Sequence, residues 1–281
     1  MNQENERTTA ASEPEPGTRM DENGIPHCVK CGAPLKKRTE LVDFMGISRV
    51  FMVEELCPCM EAARREREQR AERDRRYLEA WSKWSGSRFY REGIRDMSFR
   101  RDDAPDSEAA RVCRNYADQW ERMRKEGCGL LLMGPVGTGK TFYAAAIMNR
   151  VLHEGDTCAM VSAPQLVNLC MNGQSEDVMR ELNRFGLVIL DDLGAERETD
   201  FALEQLELFM DARYASGRPL IVTTNLTKAE LDDPSDRRRT RIYDRAKQMA
   251  CVPVLLTGRS RRGAAARDKA RRMRELLGAG A

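Results

Sequence analysis

Gly129-Leu130-Leu131-Leu132-Met133-Gly134-Pro135-Val136-Gly137-Thr138-Gly139-Lys140-Thr141 is the stretch whose reading decides the fold of this chain. An apolar run of strand length ends in a glycine-rich turn, and Lys140 and Thr141 open a stretch of helical composition reaching Leu152. A phosphate cradle needs that order. Gly134, Gly137 and Gly139 let the backbone curl so that its N–H groups face nucleotide phosphates, with Pro135, Val136 and Thr138 completing the loop. The helix N-terminus adds partial positive charge at the same place. Lys140 is positioned for the β- and γ-phosphate oxygens and the Thr141 hydroxyl for Mg²⁺, so the stretch predicts bound ATP with magnesium. The plain alternative is a glycine turn with no ligand, which requires strand, loop, Lys-Thr and helix to coincide by chance.

Working outward, further short apolar runs occur at 158–161, 187–190, 220–224 and 252–256, with helical stretches at 164–171 and 201–214. The runs are continuous rather than alternating, which marks strands buried on both faces. Five such strands separated by helices predict an α/β domain of three layers around a parallel five-stranded sheet. The run at 187–190 delivers Asp191 and Asp192 at its end. Asp191 is the expected ligand on the magnesium side, and Asp192 is expected to polarise the attacking water. Many ATPases carry Glu at the second position, so the shorter Asp predicts slow hydrolysis. Asn225 ends the next strand, where its amide can reach the γ-phosphate and the water.

The bulk composition agrees with a soluble protein: 41% of residues are hydrophobic, 33% are charged, and no run of membrane-spanning length occurs. The first residues are polar and lack the apolar core of a secretory signal, which predicts a disordered tail on a cytoplasmic protein. The net charge of +2 conceals an asymmetry. Between 237 and 274 there are fourteen Lys and Arg against Asp244 and Asp268, a local net of +12 that leaves −10 for the remainder. Such a segment suits a polyanion or simply a solvated basic surface.

Nine cysteines without a secretion signal argue against a disulfide scaffold. Cys28 and Cys31 flank a tight turn closed by Gly32, and Cys57 and Cys59 form a second pair. Four thiolates suit tetrahedral Zn²⁺, and a module of this size needs a metal because its core is too small. Cys-x-Cys spacing is less usual than Cys-x-x-Cys, and His27 is a possible substitute ligand; free thiols or a redox pair are the alternatives. Cys113, Cys128, Cys158, Cys170 and Cys251 are scattered, several in apolar runs, and are expected to be inert packing residues.

With these residues in hand, the chain resembles the DnaC/DnaI-type replicative helicase loaders, which are AAA+ ATPases, and the related IstB-like transposition ATPases. The resemblance covers about 87–262 and rests on Gly-Pro-Val-Gly-Thr-Gly-Lys-Thr at 134–141, Leu-Asp-Asp-Leu-Gly at 190–194 and Pro-Leu-Ile-Val-Thr-Thr-Asn-Leu at 219–226. It continues through Arg241-Ile242-Tyr243-Asp244-Arg245 and Gly258-Arg259-Ser260-Arg261-Arg262, with the segment 89–99 as the lead-in. It implies that Asn225 is sensor 1, that Arg245 (with Arg241 as alternative) is an arginine finger acting across a subunit contact, and that Arg262 or its neighbour Arg261 is sensor 2. The implied division is a disordered tail (1–22), a zinc-binding module (23–60), a charged helical linker (61–86), an AAA+ ATPase domain (87–262) and a basic C-terminal tail (263–281). The implied partners are a replicative helicase, single-stranded DNA and further copies of the chain in an ATP-dependent ring or spiral, with no membrane. The alternative function is an IstB-like ATPase assisting a transposase.

Overall fold

The computed structural model of the chain describes residues 18–35, 37–44, 47–234, 236–258 and 260–277, which divide into two units, Met1–Glu72 and Arg73–Ala281. In the first, β1 (Thr18–Met20) pairs antiparallel with β2 (Pro26–Cys28), and β3 (Lys37–Phe44) with β4 (Ile47–Glu54). Among the described residues, strand structure is already present at Thr18, inside the stretch expected to be tail. Met20 lies opposite Pro26, and the Asp21 carboxylate accepts from Asn23 and Ile25 backbone N–H groups to close the turn.

Helix α1 (Pro58–Ser85) begins in the first unit and ends in the second. Its first half is held by exposed pairs one turn apart, Arg65–Glu61 at 3.6 Å and Arg64–Glu68 at 3.4 Å, each contributing a few tenths of a kcal/mol. The linker expected over 61–86 is corrected in its last two turns. Tyr77, Ala80, Trp81 and Trp84 recur at i, i+3, i+4 and i+7, and this apolar stripe is packed, with Ala80 and Trp84 fully buried.

The second unit continues through α2 (Glu108–Asp118), α3 (Trp120–Glu126), β5 (Leu130–Met133), α4 (Lys140–His153), β6 (Cys158–Ser162), α5 (Ala163–Leu169), α6 (Ser175–Leu182) and β7 (Leu187–Leu193). It ends with α7 (Asp200–Ala215), β8 (Leu220–Thr224), α8 (Lys228–Asp232), α9 (Arg237–Met249), β9 (Val252–Leu255) and α10 (Arg261–Leu276). The five strands form one parallel sheet in the order β6-β7-β8-β5-β9.

Alternate residues of each strand enter opposite cores, which is why the apolar runs are unbroken. Leu130, Leu132, Leu187, Ile189 and Ile221 pack with α2 and α4, while Leu131, Val188, Leu190, Leu220 and Val222 pack with α5, α6, α7 and α9. Neighbours of β5 along the sheet are β8 and β9, not its successor β6, so the chain leaves β5 in one direction and later returns on its other side. The C-terminal edge at such a reversal is where open α/β sheets place ligands.

Two side chains depart from their expected roles, and a third was not anticipated. Cys128 and Cys251, read as packing residues, form a disulfide with Cα atoms 6.1 Å apart; they precede β5 and β9, whose pairing of Leu130 with Val252 brings them together. Arg213 of α7 is fully buried, and its guanidinium donates to the carbonyls of Phe185, Gly186 and Pro219. Burial pulls its pKa down to about 9. The stretch expected as a basic tail from 263 is helical as far as Leu276, where Ala264, Ala265, Ala266 and the following Arg, Lys, Met and Glu favour helix.

Candidate nucleotide site and thiol cluster

The glycine-rich loop joins β5 to α4 and lies against the turn after β9. Gly134 has φ +145° and Gly137 φ +85°. A Cβ at Gly134 would collide with the Leu256 carbonyl oxygen, and one at Gly137 with the Ser260 hydroxyl. The loop thus depends on glycine both for its backbone conformation and for the space to curl. Helix α4 starts at Lys140 with Gly139 as its N-cap and no side chain capping it, so its first N–H groups face the loop.

Lys140 is buried, and its ammonium donates to the Gly134 carbonyl at 2.7 Å, the Pro135 carbonyl at 2.9 Å and Asn225 Oδ1 at 2.6 Å. Thr138 folds back to donate to the Pro135 carbonyl, while Val136 is exposed at the loop tip. The Thr141 hydroxyl donates to Asp191 Oδ1 at 3.0 Å. On the strand that follows β7, Thr223 of β8 donates to the same oxygen at 2.7 Å and accepts from the Asp192 N–H. Asp192 has φ +55°, and the β7–β8 register shifts between Leu190 and Leu193. Aspartate tolerates this left-handed conformation better than most residues. The bulge lets Asp191 point at Thr141 while Asp192 leaves the ladder. Loop, Lys140, Thr141, Asp191 and Asn225 are therefore assembled around one point, and Thr223 joins them without having been singled out. Its signal was the Thr-Thr-Asn strand end, whose first hydroxyl carries the contact.

A second residue not anticipated is Arg91, whose guanidinium donates to Asp191 Oδ2 at 3.1 Å. At the other side of the loop, Arg261 lies over Gly139, and its backbone N–H donates to the Gly137 carbonyl. Its side chain pairs with Asp102 at 3.2 Å and Asp103 at 2.6 Å and accompanies the Tyr143 hydroxyl. Arg262 was the first choice for this position, and its side chain lies outside the described residues; among the described side chains Arg261 lies on the loop.

Arg245 stands on α9 against α7, 3.3 Å from Asp211 and with its guanidinium 3.9 Å from the Tyr214 ring centroid. Arg241 pairs with Glu207 at 3.0 Å. Arg238, Arg239 and Lys247 also have carboxylate partners, Asp200, Glu198 and Asp232. The acidic face of α7 and its flanks thus offsets much of the charge of α9, and the weight of the +12 segment shifts toward α10.

The model sequence of a family described as IstB-like ATP binding protein matches residues 63–254, which includes all of these groups except Leu256, Ser260 and Arg261. The chain belongs to the IstB-like ATP-binding family. It is similar to the uncharacterized protein YdaV of Escherichia coli (strain K12), 38% identical over 106 residues, or 36% of this chain and 43% of that protein. It is also similar to the replicative helicase loader DnaI of Bacillus subtilis (strain 168), 26% identical over 151 residues, or 49% and 48% of the two chains. The chain thus spans less than half the length of these two relatives. The solved DnaC helicase loader shares the fold, with a TM-score of 0.51 at 20% identity over 59% of this chain and 100% of that one. The IstB-like chain accordingly has the α/β fold of that loader. No helix among the described residues is long and apolar enough to cross a membrane.

In the first unit, the sulfurs of Cys28, Cys31, Cys57 and Cys59 all lie within 4.8 Å of one another. Cys59 Sγ is 3.4 Å from Cys28 Sγ and 3.2 Å from Cys57 Sγ. Thiolates about 2.3 Å from a shared tetrahedral zinc stand about 3.8 Å apart, so the set fits that ion. His27, the possible substitute, is engaged elsewhere: Nε2 is 3.1 Å from Asp21 Oδ2 and Nδ1 is 3.0 Å from the Gly32 carbonyl. Backbone N–H groups of Cys31 and Lys30 bring the Cys28 thiol down to about 6, whereas hydrogen bonds to its neighbours push Cys59 up to about 12. Four clustered sulfurs cannot all ionise without a cation between them.

Proposed function

We propose that this chain is an ATP-controlled loader that delivers a ring-shaped replicative helicase to single-stranded DNA. The observation that carries the reading is the convergence of Lys140 with Asn225 and of Thr141 and Thr223 on Asp191, in a chain similar to a replicative helicase loader. In this reading Lys140 and the N–H groups of the 134–141 loop hold the phosphates. Thr141 and Asp191 hold Mg²⁺, which supplies charge neutralisation for phosphoryl transfer. Asp192 and Asn225 orient water, and hydrolysis is slow. Arg245 serves the site of a neighbouring copy, a head-to-tail contact that closes a ring or winds a spiral. Arg261 reports on the phosphates from the same chain.

Tagged full-length chain, mixed with the hexameric replicative helicase of its host and a non-hydrolysable ATP analogue, is expected to elute with the helicase in one peak on size exclusion. Separate elution, with co-elution of a transposase instead, would establish the IstB-like transposition reading, which the same ATPase core serves.

The thiol cluster is assigned to one structural zinc that shapes a protein-binding surface. Elemental analysis of protein purified without chelator is expected to return about one zinc per chain, the count of a closed four-thiolate site. Chelation should melt the module around Cys28–Cys59 while far-UV helicity of the larger unit persists. Metal-free protein of unchanged stability would remove zinc from this account.

A further inference from the structure

The Asp191 carboxylate is buried and saturated from three directions. Thr141 and Thr223 hydroxyls donate to Oδ1, and the Arg91 guanidinium donates to Oδ2 at 3.1 Å. A buried carboxylate without a counter-charge is strongly disfavoured, and Arg91 supplies the positive charge opposite it. The arginine reaches in from the lead-in segment, which is fastened on both sides. Arg88 pairs with Glu181 at 2.8 Å, and Phe89 is fully buried with its ring edge-on to Phe185. Beyond it, Gly93 turns the chain with φ +83°, and Ile94 is buried. Arg91 itself is half-exposed, 49% by side chain. Its backbone is anchored while its guanidinium can swing out without disturbing either core.

Resting on the nucleotide-site reading above, we propose that Arg91 is the resident cation of the magnesium position, competing with Mg²⁺ for Asp191. With Arg91 seated, one carboxylate oxygen is hydrogen-bonded to a guanidinium and the metal meets a partly neutralised site. Entry of Mg·nucleotide requires Arg91 to leave. The metal concentration needed for tight nucleotide binding is therefore set by this chain's own arginine. Arg91 acts on the metal through Asp191, so it is a positioning residue.

The test is binding of a fluorescent ATP analogue to the full-length chain at increasing Mg²⁺, for the parent protein, Arg91→Gln and Arg91→Lys. Removing a competing cation held by a part-exposed ion pair is expected to lower the half-saturating Mg²⁺ roughly tenfold in Arg91→Gln. Arg91→Lys keeps the charge without the planar fork and should fall between the two; it also guards against a misfolded Gln variant. Melting without ligand should drop in Arg91→Gln, while melting with saturating Mg·nucleotide should not. Equal Mg²⁺ midpoints with nucleotide binding intact would overturn the competition. So would uniform weakening at every Mg²⁺ level, which would make Arg91 a phosphate ligand. Absence of nucleotide binding in the parent protein would instead overturn the site assignment itself.

Discussion

Lys140→Ala is expected to abolish nucleotide binding, with affinity falling a hundredfold or more. The ammonium is held at the mouth of the loop by two backbone carbonyls and Asn225, the place where phosphate oxygens would exchange for them. Charge-assisted hydrogen bonds of this kind contribute about 1.5–3 kcal/mol each, and losing two of them accounts for the fall. Calorimetric titration with ATP checks it, and unchanged affinity would reject the site. The same variant also tests the proposed intersubunit arginine. Arg245→Ala should bind ATP normally yet fail to hydrolyse it, and mixing it with Lys140→Ala should restore part of the turnover, because each chain supplies what the other lacks. Absence of rescue at any mixing ratio would leave Arg245 as a partner of Asp211 and Tyr214 and nothing more. Those two contacts are exposed and weak enough, about 1 kcal/mol each or less, for a neighbouring copy to displace.

Arg213→Ala is expected to produce the largest loss of stability of any single substitution considered, about 3–5 kcal/mol, because three buried backbone carbonyls lose a charged donor. The guanidinium fastens the carbonyls of Phe185, Gly186 and Pro219 ahead of β7 and β8. Truncation leaves those acceptors unpaired and opens a cavity in their midst. A urea titration should show a lower midpoint, and the melting temperature should fall by about 10 °C for a unit of this size. A shift within about 1 kcal/mol would show that water replaces the arginine at no penalty.

Much of the fold was legible because its determinants are local. A strand buried on both faces must be apolar along its length, so 130–133, 187–190 and 220–222 announce themselves without knowledge of their neighbours. A loop that curls around phosphates needs glycine at fixed offsets, and Lys-Thr at the start of a helix follows from the same chemistry. The stripe of Tyr77, Ala80, Trp81 and Trp84 was equally available, and only the charged run before it drew attention toward a linker.

Pairings across the sheet were not legible. Arg91 and Asp191 stand 100 residues apart, and Cys128 and Cys251 stand 123 apart. Nothing in either local sequence names its partner. The α9 arginines counted as a basic surface until α7 supplied Asp211 and Glu207, and only the turn after β9 lays Arg261 on the loop. The sequence by itself determined an α/β core with a phosphate loop, a carboxylate pair at the end of a later strand and two pairs of cysteines, because backbone conformation and burial periodicity are written along the chain. Only the tertiary structure decided which charges meet, because ion pairs depend on the strand order β6-β7-β8-β5-β9, and that order brings together residues the sequence keeps far apart.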